Sequence, residues 1–247
     1  GIFTTKPSLI EWVDKNIPEI ELITSKSYQV KPNPGNKGPI IVEHSVGNFG
    51  NAVGLRNPGM DKGHEDLVEL RENHNLRSYL NVSLSANSIN DFIKLVLKFE
   101  DIADILELNF SCPHAKKGFG SSIGSDAKIV QEYMEELRKT TKTLLIPKLT
   151  PNVDNIGEIA ITALNAGADG ISGINTADPI VYIEPNSRKP ILYNPNAHKG
   201  GKSGEWIKKL TLEKLKEVRE AIGPNIPIIG MGGITTGQDV REIRDLD

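Results

Sequence analysis

The residues best suited to chemistry lie together between Glu107 and Gly120, in the run Glu-Leu-Asn-Phe-Ser-Cys-Pro-His-Ala-Lys-Lys-Gly-Phe-Gly. Cys112 is the single cysteine among 247 residues. A free thiol has a pKa of about 8.5, so it serves as base, acid or nucleophile only where its surroundings tune it. Cysteine is also among the most often buried and inert residues. An inert one, however, has no need of polar company, and Asn109, Ser111 and His114 can all point into the space around Cys112. Pro113 biases Cys112 toward extended backbone. Gly118 and Gly120 would let the following loop move as a lid.

Other candidates share a habit of following apolar runs. Lys26 comes after 20–25, and Lys148 ends 144–146 within Pro147-Lys148-Leu149-Thr150-Pro151. A lysine there is either a solvated cation, a charge for the electron-rich edge of a reduced flavin, or a buried Schiff-base amine. Asn109 and Asn175 each donate and accept through one amide, as the edge of a pyrimidine-dione requires. Gly230-Met231-Gly232-Gly233-Ile234-Thr235-Thr236 ends a strand and opens a helix, where close backbone approach and free amides suit a phosphate. It is not the dinucleotide fingerprint, because Thr235 replaces the third spaced glycine. Gly200-Gly201-Lys202-Ser203-Gly204 is not a P-loop, because Asn196 stands where the first glycine belongs. The five histidines show no metal-ligand spacing, so no metal site is expected.

The elements that must position these groups alternate. Helices are expected over 7–16, 62–73, 89–99, 126–141, 154–165 and 212–222, with a last one starting at 237–244. Ser88 is the expected N-cap of the third. Strands are expected over 20–25, 79–83, 105–108, 144–146, 170–174 and 226–229, and 40–42 reads as one arm of a hairpin. Residues 47–59 read as a long loop, 31–39 as a surface excursion and 178–204 as a polar insertion. The strands are short and continuously apolar, as in a parallel sheet buried on both faces. Polar residues gather after them, as on the C-terminal face of a (β/α)8 barrel. A doubly wound open sheet is the alternative. Six strands are legible where a closed barrel has eight.

With 38% hydrophobic and 25% charged residues, the composition is that of a globular domain with one large core. A net charge of −3 gives no electrostatic case for nucleic acid or an acidic membrane surface. One cysteine excludes an internal disulfide, suits a reducing cytoplasm, and cannot supply the four thiolates of a typical iron–sulfur site. No signal peptide and no membrane-spanning run is present.

Asn109-Phe110-Ser111-Cys112-Pro113-His114 resembles the signature of the dihydroorotate dehydrogenases, in the class that uses cysteine as catalytic base (class 1): Asn-x-Ser-Cys-Pro-Asn after a strand. His114 stands where that signature has Asn, and the related dihydropyrimidine dehydrogenases carry Ser-Cys-Pro-His. Thr24-Ser25-Lys26-Ser27 is similar to the family's Thr-Lys-Ser, with Ser25 for Thr. Asn51-Ala52-Val53-Gly54-Leu55-Arg56-Asn57-Pro58 is similar to its Asn-x-x-Gly-Leu-x-Asn-Pro loop. Asn175-Thr176 matches its Asn-Thr/Ser pair, and 200–204 its Gly-Gly-x-Ser-Gly.

The resemblance implies one (β/α)8-barrel domain over 1–247, lacking its first and eighth strands, which would lie before Gly1 and beyond Asp247. It implies flavin mononucleotide (FMN) held by Lys26, Ser27, Asn81, Asn109, Lys148, Ile174, Gly204, Gly232 and Gly233. It places the pyrimidine against Lys26, Asn51, Gly54, Leu55, Asn109, Asn175 and Thr176. Cys112 would remove a proton from C5 of dihydroorotate while hydride passes from C6 to flavin N5, giving orotate in pyrimidine biosynthesis. Relatives are homodimers that use fumarate, or pass electrons to a partner subunit carrying FAD and an iron–sulfur cluster. The membrane quinone-linked class uses serine as base, so Cys112 argues against it. Three alternatives stay open: reduction of uracil or thymine with Cys112 as general acid, which His114 favours; a flavin-free Schiff-base lyase using Lys148; and a folded, non-catalytic chain. The Asn51–Pro58 loop favours dihydroorotate.

Overall fold

The computed structural model describes residues 3–111 and 123–246. Its centre is a six-stranded parallel sheet: β1 (Leu22–Thr24), β4 (Tyr79–Leu84), β5 (Ile105–Asn109), β6 (Leu144–Lys148), β7 (Ile171–Gly173) and β10 (Ile228–Gly230), neighbours in that order. Each strand pairs with the one before it in the order, without reversal, which fits the wall of a barrel and not a doubly wound sheet. The sheet curls. Glu107 on β5 hydrogen-bonds Ser172 on β7, two strands away, although strands in a sheet lie about 4.8 Å apart.

Helices cover the outer face. They are α1 (Pro7–Asn16), α2 (Met60–Asn73), α3 (Ile89–Phe99), α4 (Ala127–Thr140), α5 (Ile156–Asn165), α6 (Lys208–Ile222) and α7 (Gly237–Arg244). Leu80, Val82, Leu84, Leu106, Leu108, Leu145 and Ile171 point outward from the strands and are fully buried beneath them. The expected apolar stripes meet this layer: Val130, Tyr133, Met134 and Leu137 on α4, and Ile156, Ile159, Ala160 and Ala163 on α5, are all buried. On α3, Phe92, Leu95, Val96 and Phe99 are fully buried, each worth roughly 1.5–3 kcal/mol. Ser88 caps that helix as expected, accepting from the Asp91 amide at 3.3 Å.

Two stretches differ from the sequence reading. The expected loop 47–59 contains β3 (Asn48–Asn51), and the expected insertion 178–204 contains most of β8 (Ala177–Val181) and all of β9 (Lys199–Gly204). With β2 (Ile41–Ser45) they form a second, antiparallel sheet in the order β2-β3-β9-β8. Its strands are polar and glycine-rich because the sheet is packed too closely for side chains at several positions. A Cβ on Gly50 would enter the Tyr182 ring, and one on Gly201 would meet the Thr176 hydroxyl. Helices 62–73 and 212–222 also begin earlier than expected, at Met60 and Lys208. No helix among the described residues is long and apolar enough to cross a membrane.

Candidate active site

The parallel strands deliver their polar ends to one place. β5 ends at Asn109, after which Phe110 is driven into the core against Phe92 and Tyr133. That anchor leaves Ser111 beside Asn109. β6 ends at Lys148, in register with both Asn109 and Ser172. The backbone after β7 is tied back to β6, since the Asn175 amide donates to the Leu149 carbonyl at 3.0 Å. β1 is followed by Ser25, which is buried and whose hydroxyl donates to the Lys26 carbonyl at 2.9 Å.

These ends and the second sheet enclose a cavity of about 620 Å³, within the range of small-molecule sites. Its walls include Lys26, Asn51, Gly54, Leu55, Asn109, Ser111, Asn175 and Thr176. The Asn109 side-chain oxygen accepts from the Ser111 amide at 3.3 Å, from the Ser111 hydroxyl at 2.5 Å and from the Asn175 amide at 3.4 Å. Asn175 also donates to the Ser111 hydroxyl oxygen, and its own oxygen accepts from the Thr176 amide at 2.9 Å. With its oxygen committed, Asn109 is left with its NH2 group as the donor it can offer to a ligand.

The loop from Ala52 to Pro58 is fixed from below. Asn57 is buried, accepts from the Gln29 and Gly59 amides and donates to the Leu55 carbonyl at 2.7 Å. Asn36 donates to the Ala52 carbonyl at 2.8 Å, and Arg56 to the Pro34 carbonyl at 2.8 Å. At the loop's crest Gly54 has φ +73° and Leu55 φ +55°. A Cβ at Gly54 would sit 2.9 Å from Asn36, so only glycine fits. A leucine in the left-handed region is uncommon and costs about 1–3 kcal/mol. The loop holds it there against the cavity.

The cavity is positively charged. Burial, then the charges of Arg56 and Lys148, hold the Lys26 ammonium below its ordinary 10.5, and no carboxylate among the described residues offsets them. Such a cluster favours an anion.

A model of the family described as dihydroorotate dehydrogenase matches residues 1–244. The chain belongs to the dihydroorotate dehydrogenase family. It is 39% identical over 221 residues to a protein of Methanocaldococcus jannaschii, covering 89% of this chain and 70% of that relative. It is 40% identical over 243 residues to one of Alkaliphilus metalliredigens, covering 98% and 76%, and 38% identical over 232 residues to one of Thermococcus kodakarensis, covering 94% and 73%. All three are named dihydroorotate dehydrogenase B (NAD(+)), catalytic subunit.

The residues singled out from the dihydroorotate dehydrogenase motifs fall into three groups. Lys26, Asn51, Gly54, Leu55, Asn109, Asn175 and Thr176 all line the cavity. Lys148 ends β6, Ile174 follows β7 and Ser27 lies past the end of β1, whereas Asn81 sits in the middle of β4. Ile174 is buried, Asn81 is fully buried with its side-chain oxygen unpartnered, and the Ser27 hydroxyl is 2.9 Å from that of Ser83. Gly204, the last residue of β9, and Gly232 and Gly233, just past β10, have φ +105°, +123° and +70°. A Cβ at Gly232 would press on Thr211, and one at Gly233 would sit 2.7 Å from the Lys208 amide. The free helix amides expected after Gly233 are already used. Asp239 accepts from the Thr235 and Thr236 amides at 2.8 and 2.7 Å and pairs with Lys208. Cys112 and His114 lie outside the described residues. Gly201, from the 200–204 motif, lines the cavity, and so do Asn36, Thr150, Asn152, Asn194, Asn196 and Lys199, which were not singled out for it. For Thr150 and Asn152 the signal was present, since they closely follow Lys148.

Proposed function

We propose that this chain is the catalytic subunit of an NAD-linked dihydroorotate dehydrogenase that oxidises dihydroorotate to orotate in pyrimidine biosynthesis, with Cys112 as base. The observation that carries the reading is the convergence of all seven expected pyrimidine-binding residues on one cationic cavity. Ser111, on that cavity's wall, directly precedes Cys112. The relatives' shared name supports dihydroorotate over uracil or thymine, and over a Schiff-base lyase.

The residues present fit FMN. Gly232 and Gly233 hold a left-handed backbone with no side chain between it and a ligand, and Asn81 holds a buried oxygen with no donor. Gly232 and Gly233 would hold the phosphate through their backbone, and Lys148, Lys26 and Asn109 would face the ring. FMN, when bound, supplies the acceptor for the hydride. The chain's own residues do the rest. Lys26 and its neighbouring cations attract the substrate carboxylate. The rigid Gly54–Leu55 crest, Asn51, Asn175 and Thr176 fix the ring, and Asn109 donates to a carbonyl of the bound rings. Orientation of this kind lowers the barrier by removing the search for a reactive pose. The Cys112 thiolate takes the C5 proton. Electrons leave through a partner subunit carrying FAD and an iron–sulfur cluster, on a homodimer of catalytic chains. The relatives' designation as catalytic subunits supports the partner, and one cysteine here requires the cluster's thiolates to come from elsewhere.

Cys112→Ala is expected to abolish turnover while flavin stays bound. Cys112→Ser is expected to turn over slowly and faster as pH rises, because a hydroxyl is the weaker acid. Steady-state assay beside the visible spectrum checks both. Near-native turnover in the alanine variant would sink the base assignment.

A further inference from the structure

Glu107 lies on β5 with its neighbours Leu106 and Leu108 turned outward, so its side chain enters the barrel lumen. It is buried and met by hydroxyls alone. Ser83 donates to one carboxylate oxygen at 2.9 Å and Ser172 to the other at 2.8 Å. The Ser27 hydroxyl stands 2.9 Å from that of Ser83. No cation among the described residues forms an ion pair with it.

A carboxylate only accepts. Ser83 and Ser172 must each spend their one proton on Glu107, so Ser27 must donate to Ser83. The chain therefore has one direction: Ser27 to Ser83 to Glu107, and Ser172 to Glu107. It joins β4, β5 and β7 to the segment after β1 that carries Lys26. Asn109, which lines the cavity, is two residues further along the same face of β5, about 6.7 Å away. Ser172 is in register with Lys148. The carboxylate thus lies one layer below the cavity floor. Barrel layers are usually filled by Val, Ile and Leu, and apolar residues in place of a buried ionic group are often neutral or stabilising. Packing alone does not call for an anion here.

We propose that Glu107 is a positioning residue of the flavin site, which fixes the hydroxyl chain and places a carboxylate one layer below the cavity floor. The inference rests on the flavin reading above. A carboxylate below a flavin held in that cavity would disfavour its electron-rich reduced form, so the reduced flavin would give up electrons more readily. That suits a protein whose relatives are named for NAD(+), a weak oxidant.

The test uses the full-length catalytic chain assembled with its electron-transfer partner. The bound flavin is equilibrated anaerobically with a reference redox dye in wild type and in Glu107→Gln. The amide keeps the volume but removes the charge. The equilibrium is expected to move about tenfold toward reduced flavin, about 30 mV for a two-electron couple, and NAD+ reduction is expected to slow more than flavin reduction by dihydroorotate. A second variant, Ser83→Ala with Glu107→Leu and Ser172→Ala, gives an apolar lumen that covers a failure of Glu107→Gln to fold. It is expected to fold, bind flavin and show the same direction of shift. An unshifted equilibrium in either folded, flavin-bound variant would overturn the proposal. A wild-type protein that takes up no flavin would instead overturn the reading on which it rests.

Discussion

Ser111 shows how one hydroxyl can set the chemistry of a site. By bonding both Asn109 and Asn175 it fixes which end of the Asn109 amide faces the cavity. The motif placed the two asparagines at the site, but not this orientation, because an amide's rotation depends on partners from different strands. Lys26 was likewise legible as a strand-end cation, whereas its depressed proton affinity comes from burial first, and then from Arg56 and Lys148. A bound anion counters those charges, so the Lys26 pKa in the complex lies above that of the free protein. Anion affinity is then full below the free-state pKa and declines as pH rises between the two values, by at most about tenfold per unit. Orotate titrations of the flavin spectrum at rising pH, in the range below 10.5, should show this decline, and Lys26→Met should remove it. A flat wild-type profile would count against Lys26 as the anion's partner.

At the scale of elements, the parallel strands and their helices were legible because their periodicity reports burial directly. The second sheet was not. Its strands carry Gly50, Gly200, Gly201 and Gly204, which look like turn residues in sequence but here permit backbones and rings to touch. Gly50→Ala should force β3 away from Tyr182, destabilise the fold by about 1–3 kcal/mol and raise KM for dihydroorotate more than it lowers kcat, since β3 carries Asn51 to the cavity. Thermal melting and steady-state kinetics read both effects, and an unchanged KM would detach this sheet from substrate binding. The helix after Gly233 gives a second case. The Asp239 carboxyl is held far below its ordinary 3.8, first by Lys208 and then by the Thr235 amide. A depressed carboxyl stabilises above the unfolded pKa and loses that contribution as pH falls through the folded one. The stability advantage of wild type over Asp239→Asn should therefore shrink below about pH 3.8. Denaturation midpoints that keep the same gap down to pH 2 would contradict it.

For the whole molecule, the strand order and a shared cavity at the strand ends carry the functional reading. Both followed from where polar residues fall after apolar runs. What the sequence left open was how the 47–59 and 178–204 stretches close the cavity, since long-range antiparallel pairing leaves little local trace. This cavity is proposed to bring dihydroorotate and a flavin together. The most direct test is the visible spectrum of the purified full-length protein, followed without oxygen as dihydroorotate is added. A yellow protein that bleaches with dihydroorotate and not with dihydrouracil is expected. A yellow protein that bleaches only with dihydrouracil, or a colourless one that cannot be loaded with FMN, would contradict it.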